Sequence, residues 1–457
     1  MQTTIFDVLY PTFKITKPIR LIEFFGGYGS QALALKYLGV EFEHWKLCEW
    51  AIKSIQAYKD IHMPDDNEDY SMLNNLSYEK LVDILYNYGI SQNYNEPMKL
   101  EQIKRLGEKQ VRKIFNNIVA THNLVNIQKV KGYSLEIEDT DKYCYIMTYS
   151  FPCQDLSLAG KGKGMSDTST RSGMLWEVER ILTECKELGS MPQVLLMENV
   201  PQVHSIDNMP DFHKWQVRLE ELGYHSYWQD LIATDYGIPQ TRNRCFMVSI
   251  LGNYSYTFPK PIPLKLKLKD MLEDNVDEKY YLSDKMIEFF TKNEEQQKDS
   301  GNGFRFNVSD GNVIAKTITT RAGSRMDDNF IGNKVLKETL ETKDKIQTLT
   351  TNGGNDRGVV VTENYVQWKQ KGLLDIDCRA YFEDKVAPTT TTTPKSKILQ
   401  NNLRIRKLTP RETGRLMGVK DEDITKMLKN QSDSSAFHCF GDSIVVNVLM
   451  ALFKELL

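Results

Sequence analysis

The stretch PIRLIEFFGGYGSQALALKYLGVEFEHWKLCEW, residues 18–50, decides the fold. A short apolar run (PIRLIEFF) leads into a glycine turn (GGYGS), a segment with helical periodicity (QALALKYLG) and a second extended run (FEHWKLCEW). This order of strand, turn, helix and strand predicts a βαβ unit. Comparable apolar runs recur at 143–150, 192–200 and 244–250. The sequence therefore predicts an α/β fold with a mostly parallel sheet and helices on both of its faces.

The composition is that of an ordinary globular protein. The chain has 457 residues, of which 40% are hydrophobic and 26% charged, and its formal net charge is −3. No apolar run reaches the roughly 18 residues of a membrane span, and the start MQTTIFDVLYPTFKI does not resemble a secretory signal. None of the seven cysteines forms a CxxC pair, which argues against a zinc site or a disulfide framework and favours a reducing cytoplasm.

The character of the sequence changes along the chain and suggests domain limits. Residues 1–260 together with 437–457 predict a catalytic and cofactor-binding domain, interrupted by a polar, helical insertion at about 72–123. Residues 261–410 are rich in glycine, asparagine and threonine and predict a small, irregular, strand-rich domain. Residues 411–436 predict a hinge segment between the two.

Three threonine-rich fragments lie in the predicted small domain, at 315–329, 346–358 and 387–397. Each combines an extended run with a polar or basic turn. Exposed strands alone would explain them, because β-branched threonine suits strands. Repeated loops that present hydroxyl groups and basic side chains to a polar partner are the alternative, which the repetition slightly favours.

Basic residues cluster in two places although the whole chain is acidic. Residues 386–411 contain no acidic residue but carry Lys395, Lys397, Arg404, Arg406, Lys407 and Arg411, and a second basic stretch, KPIPLKLKLK, occupies 260–269. Local basic surface is expected where a single cleft meets phosphate groups. For either stretch alone, a solvated surface loop is an equally good interpretation.

The glycine turn FFGGYGS (24–30) suits a nucleotide-like ligand. Its glycines let the backbone approach a ligand, and the start of the following helix favours polar contacts. The sequence matches neither the dinucleotide GxGxxG nor a P-loop. Glu49 follows the turn by about twenty positions, the sequence spacing typical of a carboxylate that binds ribose hydroxyls. The adjacent Trp50 offers an indole that can stack on adenine.

Reactive side chains follow two predicted strands and precede a third. Cys153 comes just after the run 143–150, Glu198 ends the run 192–200, and Gln240, Arg242 and Arg244 surround the start of the next run. Open α/β sheets bind ligands at the carboxyl ends of their strands. A thiolate beside an acid can add to a polarised double bond, and Lys161, Lys163 and Arg171 would favour the thiolate. Taken singly, Cys153 is more simply a packed thiol, but four such pieces in one cleft favour catalysis.

The order of these motifs resembles the DNA (cytosine-5) methyltransferase family of bacterial and phage restriction-modification systems. The matching residues are Phe25, Gly27 and Gly29; Pro152-Cys153-Gln154; Glu198-Asn199-Val200; Gln240, Arg242 and Arg244; the segment Arg406-Lys407-Leu408-Thr409-Pro410-Arg411-Glu412; and Gly441 with Ser443. The match covers about 1–60, 120–260 and 403–457.

The resemblance implies a Rossmann-like domain that binds S-adenosylmethionine and a target recognition domain that reads DNA. The target cytosine is flipped out of the helix, Cys153 attacks ring carbon 6, and Glu198 contacts ring nitrogen 3 while carbon 5 takes the methyl group. Arg242 is expected to hold the cytosine oxygen, and Arg244 the pocket or a phosphate. The implied cofactor residues are Phe25, Gly27, Gly29, Glu49, Trp50, Asn126, Ile127, Pro152, Asp442 and Ser443. The implied DNA contacts are Gln154, Ser157, Lys161, Lys163, Arg171, Gln240, Arg321, Arg325, Arg357, Lys395, Arg404 and Arg406.

The resemblance also implies the setting in which the enzyme works. We expect a monomer acting on double-stranded DNA in the bacterial cytoplasm, associated with the nucleoid while acting, with no metal and no membrane. A cognate restriction endonuclease acting separately is an open expectation. A tRNA cytosine-5 methyltransferase and a non-catalytic DNA-binding relative are the alternatives. The long stretch before the RKLTPRE segment disfavours the first, and the intact Cys153 and Glu198 disfavour the second.

Two substitutions and one insertion depart from the family pattern. Asn126 stands where the family has an aspartate before isoleucine, and Asp442 replaces the asparagine of the usual GNS. A carboxylate lacks the amide donors and adds charge, so we expect the contact at Asp442 to be rearranged. The insertion at about 72–123 has no counterpart in the minimal enzymes, and the sequence assigns it no function.

Overall fold

The structure is a computed structural model that describes residues 10–151, 172–299, 305–332 and 404–457, together with three short strands between 360 and 381. Its central feature is a six-stranded sheet in the order β2-β1-β3-β4-β6-β5. The strands are β1 (Ile19–Phe24), β2 (Phe42–Cys48), β3 (Cys144–Tyr149), β4 (Val194–Asn199), β5 (Tyr224–Ile232) and β6 (Asn243–Leu251). The first four pair in parallel, whereas β6 pairs antiparallel with both β4 and β5.

Helices cover both faces of this sheet because successive strand residues point to opposite sides. In β3, Ile146 belongs to one hydrophobic cluster and Met147 to the other, and in β4 Leu196 and Leu195 divide in the same way. The first cluster takes in α1 (Ser30–Leu38) and the second takes in α7 (Leu175–Glu187) and α8 (Met209–Leu222). The predicted α/β architecture with a mostly parallel sheet is confirmed.

The region of the predicted insertion is helical and has a core of its own. After α2 (Ile52–His62) it forms α3 (Tyr70–Leu73), α4 (Tyr78–Tyr88), α5 (Leu100–Arg105) and α6 (Glu108–Ala120). Leu81, Leu85, Val111 and Ile118 form part of this separate cluster, which also includes Ile55 of α2. The segment is thus anchored to the helix that follows the second strand.

The last part of the chain returns to the sheet domain. It forms α10 (Pro410–Leu416), α11 (Asp421–Leu428), α12 (Asp433–Gly441) and α13 (Val446–Leu456). Helix α13 packs on α1 within the first cluster. The segment 411–436, predicted as a hinge, consists largely of helix, and its Leu416, Ile424 and Met427 are buried in that same cluster. The described residues contain one helical stretch apolar and long enough to cross a membrane, Asp433–Leu456, and 72% of its apolar window is buried inside the protein, as in a core helix.

The intervening region is small and poor in regular structure where it is described. It contains α9 (Asp284–Asp299), β7 (Val308–Ser309), β8 (Phe330–Ile331), β9 (Val360–Val361), β10 (Tyr365–Gln367) and β11 (Arg379–Tyr381), and β12 (Arg406–Lys407) follows. Strand β8 lies between β12 and β7. Phe290, Phe306, Phe330 and Ile405 form its hydrophobic cluster. The domain limits themselves remain a prediction.

Candidate active site

The glycine turn after β1 adopts the conformation that its residues permit. Phe25, Gly27 and Gly29 have φ values of +56°, +56° and +81°, a region that L-residues other than glycine seldom occupy. A Cβ on Gly29 would lie 2.4 Å from Nε2 of His62, whereas a Cβ on Gly27 would meet nothing within 4 Å. Gly29 is therefore required for packing, and Gly27 borders an open space.

Glu49 faces this open space from the end of β2. Its side chain is buried, and its two carboxylate oxygens accept hydrogen bonds from the backbone N–H groups of Gly27 (3.1 Å) and Ala51 (2.8 Å). Burial raises the pKa of Glu49 to about 7. Each oxygen keeps a further lone pair, so the carboxylate can still accept bonds from ligand hydroxyls.

The neighbouring predicted cofactor residues line up along the same edge. Trp50 is half-buried, and Asn123 bonds both the N–H and the carbonyl of Glu49. The Oδ1 of Asn126 accepts a hydrogen bond from the Gln128 N–H (3.0 Å), which leaves its amide donors toward other partners. Ile127 is buried.

Glu198 lies at the end of β4, where it contacts the guanidinium of Arg244 and the hydroxyl of Ser150. It is 5% exposed. Its Oε1 lies 3.0 Å from Nε of Arg244 on β6, and its Oε2 accepts a short hydrogen bond from the Ser150 hydroxyl at the end of β3. Ser150 was not identified from the sequence. The available signal was its position directly after a strand and just before Pro152-Cys153.

Asn199 ties this carboxylate to the chain that enters the predicted nucleophile. Its Nδ2 donates to the carbonyl of Phe151 (3.0 Å) and its Oδ1 accepts from the N–H of Val200 (2.8 Å). Cys153 is two positions beyond Phe151 and lies outside the described residues. So do other predicted site residues: Pro152, Gln154, Ser157, Lys161, Lys163, Arg171, Arg357 and Lys395.

Arg242 is placed differently from Arg244. It is 4% exposed, and it donates to the carbonyls of Ile318 (3.1 Å), Gly441 (3.1 Å) and Ser443 (2.5 Å). Burial lowers its pKa to about 9. The guanidinium therefore joins three separate segments of backbone. This favours Arg244 over Arg242 as the guanidinium beside a bound base, contrary to the division of roles expected from the sequence.

The turn after α12 is bonded to Arg242 through the carbonyls of Gly441 and Ser443. Gly441 packs directly on the small region, since a Cβ there would come within 2.3 Å of the Thr319 and Thr320 backbone. Ser443 is buried, while the Asp442 side chain is exposed. Charges of His438, Arg242, Glu198 and Arg244 act on Asp442, and Asp442 acts on Glu49. Asp442 therefore lies near Glu49, Glu198 and Arg244.

Two predicted DNA contacts are corrected by the structure. Gln240 is fully buried, with its Nε2 donating to the Leu416 carbonyl (2.7 Å) and its Oε1 accepting from the Ile318 N–H (3.0 Å). Arg406 is also buried and forms two 2.8 Å bonds with Glu412. Both side chains are buried and hydrogen-bonded within the protein, so neither is placed to contact a phosphate.

The remaining described candidates lie at the surface. Arg321 and Arg325 are exposed. Arg404 pairs with Glu278 and stacks over the ring of Tyr281 at 3.9 Å. The second basic stretch exposes four lysines, which are Lys260, Lys265, Lys267 and Lys269. These exposed residues are the ones available to an anionic partner.

One group of possible metal ligands occurs in the described part of the chain, formed by His204, Asp230 and Cys245. His204 Nε2 lies 2.8 Å from Asp230 Oδ1, and the Cys245 thiol also bonds Asp230. His204 and Asp230 thus already pair with each other.

Comparison with known proteins agrees with the motifs. Residues 102–457 match the family model described as C-5 cytosine-specific DNA methylase. The chain is 31% identical over 443 residues to the type II methyltransferase M2.ScrFI of Lactococcus lactis subsp. cremoris, covering 96% of this chain and 99% of that protein. It is 32% identical over 347 residues to the orphan methyltransferase M.SssI of Spiroplasma monobiae, covering 75% of this chain and 82% of that protein.

The fold has solved relatives as well. The Dnmt2 methyltransferase of S. pombe superposes with a TM-score of 0.57 at 14% identity, covering 96% of this chain and 98% of that one. Likeness at this identity shows the fold, and it confirms the predicted Rossmann-like methyltransferase architecture. Family model and full-length relatives together confirm the predicted enzyme class: the chain belongs to the C-5 cytosine-specific DNA methylases, enzymes that methylate cytosine in DNA at carbon 5.

Proposed function

We propose that this enzyme methylates one cytosine within a specific DNA sequence, with S-adenosylmethionine as the methyl donor and Cys153 as the nucleophile. The observation that carries the proposal is the contact of Glu198 with Arg244 and Ser150 at the strand ends that lead to Cys153. A carboxyl group, a guanidinium and a hydroxyl meet there, at the edge where α/β sheets bind substrates.

The cleft fits the cofactor. The open space beside Gly27 is a cradle that any side chain would fill, and Glu49 offers acceptors to ribose hydroxyls. Phe25, Trp50, Asn126 and Ile127 would surround the adenine, and Asp442 with Ser443 would close the far side. Pro152 is assigned to the same site by its motif alone. When bound, S-adenosylmethionine supplies an electrophilic methyl group.

The side chains assign the steps at the base. The Cys153 sulfur bonds to carbon 6 of the flipped cytosine, while Glu198 holds ring nitrogen 3 and stabilises the electron density that builds toward carbon 5. Arg244 orients Glu198 through their ion pair and lies next to the base. After methylation, loss of the proton on carbon 5 expels the Cys153 sulfur, which restores the ring.

Arg242 plays a supporting part in this proposal. Its bonds to Ile318, Gly441 and Ser443 hold the cofactor turn and the small region against the sheet. It therefore shapes the pocket without touching the base. The sequence assigned the contact with the cytosine oxygen to Arg242. We propose that Arg244 makes this contact instead.

Double-stranded DNA is the proposed substrate. The exposed Arg321 and Arg325, with the lysines of the 260–269 stretch, offer positive charge to phosphates. The sequence prediction adds Gln154, Ser157, Lys161, Lys163, Arg171, Arg357, Lys395 and Arg404. We propose that 261–410 is the target recognition domain, and that the protein acts as a monomer that extrudes the target base.

We further propose a restriction-modification role in a bacterial cytoplasm, with the enzyme on the nucleoid while it acts. The full-length similarity to a type II methyltransferase supports this setting and a separately acting endonuclease. Similarity to an orphan methyltransferase supports the solitary alternative. Expression in an unmethylated host, followed by bisulfite sequencing, reveals the recognition sequence and tests sequence specificity.

The chemistry is tested by transfer of labelled methyl groups to duplex DNA. We expect Cys153→Ala and Glu198→Gln to abolish transfer, and Arg244→Met to lower kcat by about 10²-fold or more, the scale of a lost transition-state contact. Arg218→Met is the matched control, because Arg218 pairs with Glu179 and Glu221 on the outer helices. Unchanged transfer by Cys153→Ala would refute the mechanism.

Two further measurements separate the alternatives. Duplex DNA containing 5-fluorocytosine should trap a covalent adduct on the wild type but not on Cys153→Ala, whereas a non-catalytic relative would give none. Methylation of tRNA in preference to duplex DNA would favour the tRNA enzyme.

A further inference from the structure

The insertion contacts the proposed cofactor site through the loop between α4 and α5. The N–H of Ser91 donates to the Trp50 carbonyl (2.8 Å), and the N–H of Ile52 donates to the Ser91 carbonyl (2.9 Å). Gly89 lies close to Asn126, since a Cβ on it would be 3.0 Å from the Asn126 Nδ2. The loop therefore supports two of the residues assigned to adenine.

Tyr94 carries the same loop across to α12. Its ring stacks on the imidazole of His438, with centroids 3.8 Å apart and planes 12° apart. Its hydroxyl lies 4.0 Å from the Cys439 Sγ and also bonds Ser54 of α2. One side chain from the insertion thus contacts the helix that follows Trp50 and the helix that leads into Asp442.

The backbone at Tyr94 is strained, which points to a specific requirement. Its φ is +64°, a left-handed conformation that is unfavourable for a non-glycine residue. Such strain persists only where surrounding contacts determine the conformation. The stack on His438 is the contact that this conformation delivers.

His438 stands one helical turn before Asp442. The Asp442 N–H donates to the His438 carbonyl (3.0 Å), so the imidazole lies on the helical turn that leads into Asp442 and Ser443. In the described structure the buried Nδ1 of His438 has no hydrogen-bond partner. The ring position therefore depends on packing, and the Tyr94 ring supplies it.

We propose that Tyr94 is a positioning residue for the cofactor, and that the insertion is a third wall of the cofactor site. By stacking on His438 it fixes the turn that presents Asp442 and Ser443, while its loop holds Trp50 and Asn126 opposite. The proposal rests on the proposed cofactor site and gives the insertion a role that the sequence did not.

The test uses the full chain and S-adenosylhomocysteine as the probe, with binding measured by calorimetry. Aromatic pairs contribute about 0.5–1.5 kcal/mol, so Tyr94→Ala should raise the Kd up to about tenfold. In methyl transfer, KM for S-adenosylmethionine should rise by a similar factor while kcat and KM for DNA stay near wild type. Tyr94→Phe keeps the stack and should retain affinity. Tyr86→Ala is the matched control, since Tyr86 is 48% exposed on α4.

The outcomes separate this proposal from the cofactor assignment. If the wild type does not bind the probe, the cofactor assignment fails. If the wild type binds and a folded Tyr94→Ala binds equally well, or if KM for DNA rises in parallel, the positioning role is overturned. Should Tyr94→Ala not fold, Tyr94→Leu keeps an apolar side chain without the stack and must show the same selective rise.

Discussion

Replacing Glu412 by glutamine tests whether the RKLTPRE segment maintains the fold or contacts DNA. The Glu412 carboxylate is fully buried and accepts four hydrogen bonds, two from Arg406 (2.8 Å each) and one each from the N–H groups of Thr409 (2.9 Å) and Glu273 (2.9 Å). Removing one partner of a buried ion pair leaves an uncompensated charge, which costs about 3–5 kcal/mol. A glutamine carbonyl can still serve the backbone donors, so we expect the lower end, about 3 kcal/mol.

The assay is thermal unfolding followed by circular dichroism. Unfolding entropy is about 2.1 cal/mol/K per residue, so in this 457-residue chain Glu412→Gln should lower Tm by about 3 °C. The control is Glu278→Gln, whose side chain is 74% exposed in its pair with Arg404, and which should cost no more than about 1 kcal/mol. If the two variants melt together, the buried pair does not stabilise the fold as argued.

The same reasoning applies to DNA binding by Arg406→Met. A side chain that contacts a phosphate contributes about one unit to the slope of log affinity against log salt. Because the Arg406 guanidinium is bonded to Glu412 inside the protein, the folded variant should keep the wild-type slope of log affinity against log salt. A reduced slope would restore Arg406 to the interface.

Two further predictions concern the cofactor cleft. Gly29→Ala should lower the free energy of unfolding by about 2–4 kcal/mol through strain and overpacking. Gly27→Ala has open space around it and should lower the free energy of unfolding by only about 1 kcal/mol, yet it should weaken S-adenosylhomocysteine binding in calorimetry. Equal unfolding curves for the two variants would refute the distinction. The folded-state pKa of Glu49 is raised to about 7, so the carboxylate that accepts ribose hydroxyls forms as pH rises through 7. Probe affinity should therefore increase from pH 6 to pH 8, and Glu49→Gln should flatten this profile; a slope that persists in Glu49→Gln assigns it to another group.

The fold was predictable because the central strands β3 and β4 are largely apolar and buried along their whole length. Strand β5, with mixed polar and apolar residues, was not predicted. Strands covered on both faces read as continuous hydrophobic runs, and the runs around Ile146 and Leu195 are of this type. Their strand-end residues followed directly, since strand ends of one sheet share an edge. Glu198 was located in this way. Arg244 lies near the start of β6 and reaches the same edge only because β6 is antiparallel to β4, a pairing that the sequence did not predict.

The destination of long polar side chains was harder to predict. Gln240 and Arg406 belong to matched motifs, but a motif does not show whether a side chain points to a ligand or into the protein. For Arg406 a local signal existed, because Thr409 and Glu412 form a capping box that fixes Glu412 next to it. For Gln240 the partners are Leu416 and Ile318, which only the folded chain brings together.

Tyr94 could not have been found from the sequence. Nothing in the local pattern of the insertion distinguishes it from Tyr86 or Tyr88, and its partner His438 is near the other end of the chain. Stacking of this kind depends on tertiary packing. Its backbone conformation, unusual for tyrosine, appears only in the structure.

The packing of α13 on α1 has a consequence for biosynthesis. Helix α1 (Ser30–Leu38) is synthesised long before α13 (Val446–Leu456), the helix that covers it. Until then, an apolar face of the nascent sheet is open to water and the carbonyls of Gly441 and Ser443 are missing from Arg242. Shortened translation products should therefore engage chaperones and lack a formed cofactor pocket, so methylation activity begins only when synthesis has passed α13.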